Sequence, residues 1–190
     1  MIRKKKILIC VAHPDDETIG CGGTIAKHVH NGDKVYSLCM TDGVSARNKT
    51  SKKDVDIRIK SMNKAAKILG FKWIKDKVNF PDNQLDSINF LKIVKKIEQA
   101  KKLIRPDIIY THYVDDLNID HRIVAEATLT AFRPMKKNFS KIFSFEIPSA
   151  TDYRYYKKKS FSPNFINDIS KFWNKKKLAL LAYKQELHRY

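Results

Sequence analysis

Lys6 to Ala12 runs almost wholly apolar and leads directly into His13-Pro14-Asp15-Asp16-Glu17, and no other junction constrains the chain as much. A short run that is apolar on both faces reads as a strand buried on both sides, which belongs in a parallel sheet covered by helices. The acidic group at its end is costly. Like charges packed this closely repel one another and lose hydration if buried without partners. A divalent cation is the simplest thing that makes such a group favourable.

The rest of the chain repeats the alternation of strand and helix patterns. Glu17 to His30 reads as a helix ended by Asn31-Gly32, with Ile19, Ala26 and Val29 inward and Gly22-Gly23 allowing close packing on the sheet. Lys34 to Met40 is a second strand, closed by Thr41-Asp42-Gly43, and polar Val44 to Lys53 is a loop. Asp54 to Leu69 is a helix capped by Gly70, followed by a strand from Trp73 to Val78 and a break at Phe80-Pro81-Asp82-Asn83. Ser87 is expected to cap a helix that turns Leu91, Val94 and Ile97 inward and ends near Leu103, ahead of Pro106. Asp107 to Thr111 and Lys141 to Glu146 are strands, with a helix from His121 to Phe132 between them. This spacing predicts an α/β fold, a Rossmann-like three-layer α/β/α arrangement with a mainly parallel sheet, as one domain over residues 1–190. Pro148 to Pro163 is aromatic and basic without a period, an excursion over the surface suited to a lid. Asp168 to Tyr190 reads as one amphipathic helix with Ile169, Phe172, Trp173, Leu180 and Leu187 on one side. It meets no stop signal, so a longer C-terminal end is expected.

Charge narrows the partners. The chain of 190 residues has 38 Lys+Arg against 20 Asp+Glu, a formal +18. A charge that large raises nucleic acid or an anionic surface as a partner. The basic residues fall in short clusters throughout the sequence, however, on outer helix faces, and no nucleic-acid motif accompanies them. A solvated lysine-rich surface is the plainer reading, and nucleic acid is not expected as a partner. Cys10, Cys21 and Cys39 lack paired spacing, which suits buried free thiols in a reducing compartment. No stretch has transmembrane length, so a cytoplasmic location without a membrane span is expected.

In open α/β sheets ligands bind beyond the carboxyl ends of the strands, and the polar exceptions here follow the strands repeatedly. His13 and Asp16, three apart across a strand-to-helix turn, suit two ligands on one metal. His121 is the best candidate for the third, because it ends a second acidic loop, Asp115 to Asp120, that opens a helix. Two histidines and one carboxylate leave a position open for water, as in a catalytic zinc site. Asp15 is placed to accept a proton as general base, and Asp120 to orient His121 or a neighbouring group. On the substrate side the candidates are Arg58, as an anion clamp or a solvated cation, and Asp82, as a sugar contact or an ordinary turn residue. His112 is an acid or a loop-packing residue, and Glu146 closes the fifth strand.

The His13–Glu17 loop with Gly22-Gly23, together with Asn118-Ile119-Asp120-His121, resembles the paired signatures of the PIG-L/LmbE-like de-N-acetylase family. Arg58, the Leu69-Gly70 helix end, Asn79 to Asp82 and Phe145 to Ser149 extend the resemblance over most of the chain. It implies a Rossmann-like fold and metal-dependent removal of an N-acetyl group, usually from an amino sugar, with Zn2+ or sometimes Fe2+ as cofactor. It also implies His13, Asp16 and His121 as ligands and Asp15 as base. The implied partner is a small N-acetylated amino-sugar substrate, and self-association into a homo-oligomer stays open. Two departures stand out. Family members carry a histidine where this chain has Asn118, whose amide can donate to an oxyanion but delivers no proton. They also continue past Tyr183 to Tyr190 with a basic segment. The competing readings are a non-haem iron enzyme with the same ligand types and a non-catalytic basic module that binds glycan or nucleic acid.

Overall fold

The computed structural model describes residues 3–47, 49–75, 80–134, 139–154 and 161–186. Five strands, β1 (Lys6–Val11), β2 (Lys34–Cys39), β3 (Lys72–Trp73), β4 (Ile108–His112) and β5 (Lys141–Phe145), form one parallel sheet in the order β3-β2-β1-β4-β5. The helices are α1 (Asp16–His30), α2 (Lys52–Leu69), α3 (Phe90–Ile104), α4 (Ile119–Ala131), the single turn α5 (Pro148–Thr151) and α6 (Trp173–Leu180). The expected α/β class with a parallel sheet is the class observed.

β1 is the central strand, and it divides the core. Ile7, Ile9 and Val11 face α1, α2 and the C-terminal segment, whereas Leu8, Cys10 and Ala12 face α3 and α4. All six are fully buried, as a strand covered on both sides requires. Connections leave β1 in opposite directions, first towards β2 and later towards β4. The carboxyl ends of β1 and β4 therefore flank the crevice where such folds bind ligands.

Local chemistry sets the helix ends. Ser51 and Asp54 form a reciprocal capping box at the start of α2, and Gly70 closes it in the left-handed conformation at φ 87°. Asn89, not Ser87, caps α3. That later start leaves Leu91 in the first turn and more than half exposed, so the buried stripe is Ile93, Val94, Ile97, Ala100 and Ile104. The third strand is shorter than expected. Of the expected remainder, Ile74 and Lys75 are not strand, residues 76–78 lie outside the described residues, and a parallel bridge between Thr41 and Phe80 continues the edge beyond them.

The C-terminal part differs most from expectation. Instead of one helix, 3-10 turns at Ser170–Phe172 and Leu181–Tyr183 flank α6, and Leu187 lies outside the described residues. Trp173 is half-exposed, and the buried residues are Ala179, Ala182 and Tyr183, which join the core of α1 and α2. Gly22 and Gly23 serve this packing and not the sheet. A Cβ on Gly23 would sit 2.4 Å from Ile169 Cδ1, and one on Gly22 would sit 3.1 Å from Lys176 Cγ. The lid expected from Pro148 to Pro163 is partly the turn α5; residues 155–160 lie outside the described residues. No helix among the described residues is long and apolar enough to cross a membrane.

Candidate metal centre and catalytic loop

His13 follows β1 directly, and Asp16 is the first residue of α1. The His13 N–H donates to Asp16 Oδ2 at 2.8 Å, which folds the turn so that both side chains face β4. His121, in the first turn of α4, comes in from the other side of the switch point. His13 Nδ1 and His121 Nε2 lie 3.2 Å apart, and Asp16 places Oδ2 at 3.3 Å from the first and Oδ1 at 3.4 Å from the second. One donor atom each from His13, Asp16 and His121 thus falls within 4.8 Å of the others. Burial pulls the His13 and His121 pKa values down, but Asp16 outweighs it, with help from Asp120 and Asp82 at His13 and from Asp116 at His121. His13 stands well above its ordinary value and His121 at about 9. Asp16 is the counterpart: burial raises it, and His121, His112 and His13 hold it well below the usual carboxylate range. This buried set calls for positive charge at its centre, and two imidazole nitrogens with a carboxylate fit a divalent cation in an open catalytic site.

Each imidazole is held from behind. His13 Nε2 lies 3.2 Å from Asp82 Oδ1 and 3.3 Å from Asp120 Oδ2. Asp120 is fully buried and also accepts the Asn83 and Leu85 N–H groups, at 2.8 and 3.0 Å, which ties the loop after β3 to α4. Of the groups the sequence left open to it, His121 or a neighbour, the one it meets is His13. Asp116 stands behind His121, with Oδ1 3.2 Å from Nδ1, and accepts hydrogen bonds from Thr151 Oγ1 at 2.6 Å and the Asn118 N–H at 2.8 Å. Carboxylates behind metal-ligating histidines fix the tautomer and the ring plane.

Of the roles open to His112 in the sequence, acid, substrate contact or packing residue, its surroundings favour packing. It is fully buried, stacks on His121 at 4.0 Å and 7°, and accepts the Ala12 N–H on Nε2 at 3.0 Å. Burial and the neighbouring His121 push its pKa down to about 4. A neutral ring with no exposure steadies its neighbours and meets no substrate.

Asp15 has an unusual backbone. Its φ of 143° is a region that a residue with a Cβ seldom enters. Several bonds hold it there. The Asp15 carbonyl accepts the Thr18 and Ile19 N–H groups at 2.8 and 2.9 Å, and its own N–H donates to Glu17 Oε2 at 3.1 Å. Arg58 Nη1 donates to Pro14 O at 3.0 Å and Asp15 Oδ2 at 3.2 Å, while Nη2 reaches Gly43 O at 2.9 Å. Arg58 is 7% exposed, so it neither faces solvent nor stands open to an anionic substrate. Burial and the adjacent Asp16 charge raise the Asp15 carboxyl against the pull of Arg58, to about 7. Glu17 is more than a helix starter. It is fully buried, takes Thr18 Oγ1 at 2.6 Å and Tyr183 O–H at 3.2 Å on Oε1, and burial pushes it up to about 8.

Asn118 caps α4, accepting the Asp120 N–H on Oδ1 at 2.9 Å. Glu146 does not join the cluster. It is exposed and lines a cavity of about 1000 Å³ along α1 and β5, whose lining includes none of His13, Asp16 and His121. Four contributors went unnoticed in the sequence: Asp116, Glu17 as a buried acid, Tyr183 and Glu186. Asp116 carried a signal in the acidic loop that holds it. Tyr183 and Glu186 carried none, because their partners, Glu17 for the first and Arg47 and Arg58 for the second, are far away in the sequence.

Comparison with known proteins agrees with this geometry. The chain is 29% identical over 186 residues to an uncharacterised deacetylase of Escherichia coli K12, covering 94% of this chain and 90% of that protein. It is 25% identical over 190 residues to a probable N-acetyl-alpha-D-glucosaminyl L-malate deacetylase of Bacillus cereus, covering 96% and 84%. The solved N,N'-diacetylchitobiose deacetylase of Pyrococcus horikoshii superposes with a TM-score of 0.74 at 23% identity, over 96% of this chain and 70% of that one. Residues 8–132 match the family model described as PIG-L, GlcNAc-PI de-N-acetylase, and the chain belongs to that family.

Proposed function

We propose that this protein is a cation-dependent N-deacetylase that hydrolyses the acetamide of an N-acetylated amino sugar or amino-sugar conjugate. The observation that carries the reading is the convergence of His13, Asp16 and His121 at the switch point, with the Asp15 carboxyl on the same turn. A divalent cation held by those three side chains, zinc or iron, supplies Lewis acidity at the scissile carbonyl and lowers the pKa of a water molecule.

The remaining chemistry belongs to the protein. Asp15 is the general base. A carboxyl whose pKa lies near 7 can accept a proton from water and give it up again to the leaving amine. Arg58 keeps one carboxylate oxygen engaged and leaves the other for the proton. No second acid is needed for that sequence, which suits a chain with Asn118 at the position where the family resemblance implies a histidine. Because Asn118 Oδ1 is taken by the helix cap, the side chain offers its amide N–H groups, which would donate to the oxyanion of the tetrahedral intermediate. Asp82, with its side chain partly exposed beside His13, would accept a sugar hydroxyl. The glucosaminyl conjugate named for the Bacillus cereus relative supports the substrate class.

The test is Asp15→Ala, with acetate release measured from N-acetylglucosamine conjugates and bound cation measured by mass spectrometry. Loss of a positioned base should lower kcat by about 100-fold or more with cation retained. Unchanged turnover by the cation-loaded variant would refute the assignment.

A further inference from the structure

The C-terminal segment reaches back to the catalytic loop through two side chains. Tyr183 donates its hydroxyl to Glu17 Oε1 at 3.2 Å, and Glu17 in turn receives the Asp15 N–H on its other oxygen. Glu186 Oε1 lies 3.0 Å from Arg58 Nη2 and 2.8 Å from Arg47 Nη2. The Arg58 guanidinium sits 5.8 Å from the centre of the Tyr183 ring, so both side chains grip the same arginine. Glu17, Arg58 and Tyr183 are buried, and the Glu186 side chain is 20% exposed. The two residues that hold Asp15 in its strained conformation are therefore each held by the last described turn of the chain.

We infer that Tyr183 and Glu186 are positioning residues for Asp15, acting through Glu17 and Arg58, so that the C-terminal turn sets the aim of the general base. The inference rests on Asp15 being that base. Without the Tyr183 hydroxyl, Glu17 loses a donor opposite the Asp15 N–H. Without the Glu186 charge, Arg58 keeps the Pro14 and Gly43 carbonyls but loses a competing anion, and shifts towards the Asp15 carboxylate. Either change moves the reacting oxygen while leaving the three ligand residues in place. Displacements of about 1 Å in such groups cost up to about 100-fold in rate.

Tyr183→Phe and Glu186→Gln keep size and packing, and both are to be made alone and in the Asp15→Ala background. The expected result is a fall in kcat of about tenfold or more for each single variant, with KM, bound cation and Tm close to those of the parent. In the Asp15→Ala background neither change should lower the residual rate further, because the group they aim is gone. Crystal structures of the two variants should show Asp15 leaving its positive φ or Arg58 rotated onto its carboxylate. Parent-like kcat with an unchanged loop overturns the inference, as does a loss that multiplies fully with Asp15→Ala. If Asp15→Ala itself turns over normally, the base assignment fails. If Asp15→Ala is inactive while Tyr183→Phe and Glu186→Gln are fully active, only the positioning role fails.

Discussion

Asp116 provides the sharpest test of the proposed cation site. It is fully buried, and its carboxylate serves three groups at once: His121 Nδ1 at 3.2 Å, Thr151 Oγ1 at 2.6 Å and the Asn118 N–H at 2.8 Å. Asp116→Asn keeps the volume and one acceptor oxygen but removes the charge that favours a proton on His121 Nδ1. With that proton fixed, Nε2 presents a lone pair to the cation; without it, the ring can take the other tautomer or rotate. Loss of such a carboxylate typically weakens metal binding by about 10- to 100-fold, or roughly 1.4 to 2.8 kcal/mol. The assay is competition with a chromophoric zinc chelator at fixed pH, with thermal unfolding followed in parallel. Asp115→Asn is the control, since that neighbouring acid pairs with Arg154 at 2.8 Å and has no contact with the ligand set. Asp115→Asn should change the affinity by less than about twofold, since Arg154 keeps its hydrogen bond to the Asp116 carbonyl at 3.0 Å and the Asp116 carboxylate is untouched. Parent-like affinity in Asp116→Asn, or an equal loss in Asp115→Asn, would refute the orienting role.

Two further outcomes follow from packing. Gly20→Ala places a Cβ 2.2 Å from Phe145 Cδ2, with two more ring atoms within 2.9 Å, and that ring lies 5.0 Å from His112; overpacking of about 1–3 kcal/mol should lower Tm by roughly 3–10 °C, and a parent-like melting curve would show that the ring has room to move. Cys10, Cys21 and Cys39 are free and buried, and burial pushes the Cys10 thiol up to about 12 and the other two higher still. None should react with a thiol reagent at pH 8 until the protein unfolds, and rapid labelling of the native protein would contradict their burial.

The sequence was most legible where a single local rule decides the structure. β1 could be read from its apolar run, and the crevice from the polar residues that follow strand after strand. Those rules work because side-chain burial on a parallel sheet is fixed by the strand itself. Leu91 went astray because both Ser87 and Asn89 can cap a helix, and only packing decides which one starts it. The C-terminal stripe was misread for a related reason. Its expected apolar face includes Trp173, yet Gly22 and Gly23 bring Lys176 and Ile169 close against α1, and the buried residues are Ala179, Ala182 and Tyr183. Asp120 was legible as a supporting residue for His121 or a neighbouring group, but spacing within one loop does not reveal that the group it meets is His13. Arg58 illustrates the same limit. Its partners are the carbonyls of Pro14 and Gly43 and the carboxylates of Asp15 and Glu186, which meet only in the folded chain.

Asp15 and Asp16 show how far three-dimensional surroundings can separate two identical neighbours. Both are buried carboxylates at the start of one helix, and both gain from its positive end. Asp16 is ringed by His13, His112 and His121, and their attraction overcomes burial and holds it ionised far below its usual range. Asp15 has Arg58 as its nearest cation, but Glu186 engages the same guanidinium and Asp16 repels the charge, so burial prevails and the carboxyl titrates near 7. A group that stays ionised suits a ligand, and one that exchanges its proton near neutrality suits a base. The backbone enforces the division. The turn at φ 143° points one carboxylate towards the imidazoles and the other towards Arg58, so two acids one residue apart face different partners. The strain at this residue and the bonds that maintain it therefore belong to the chemistry of the site.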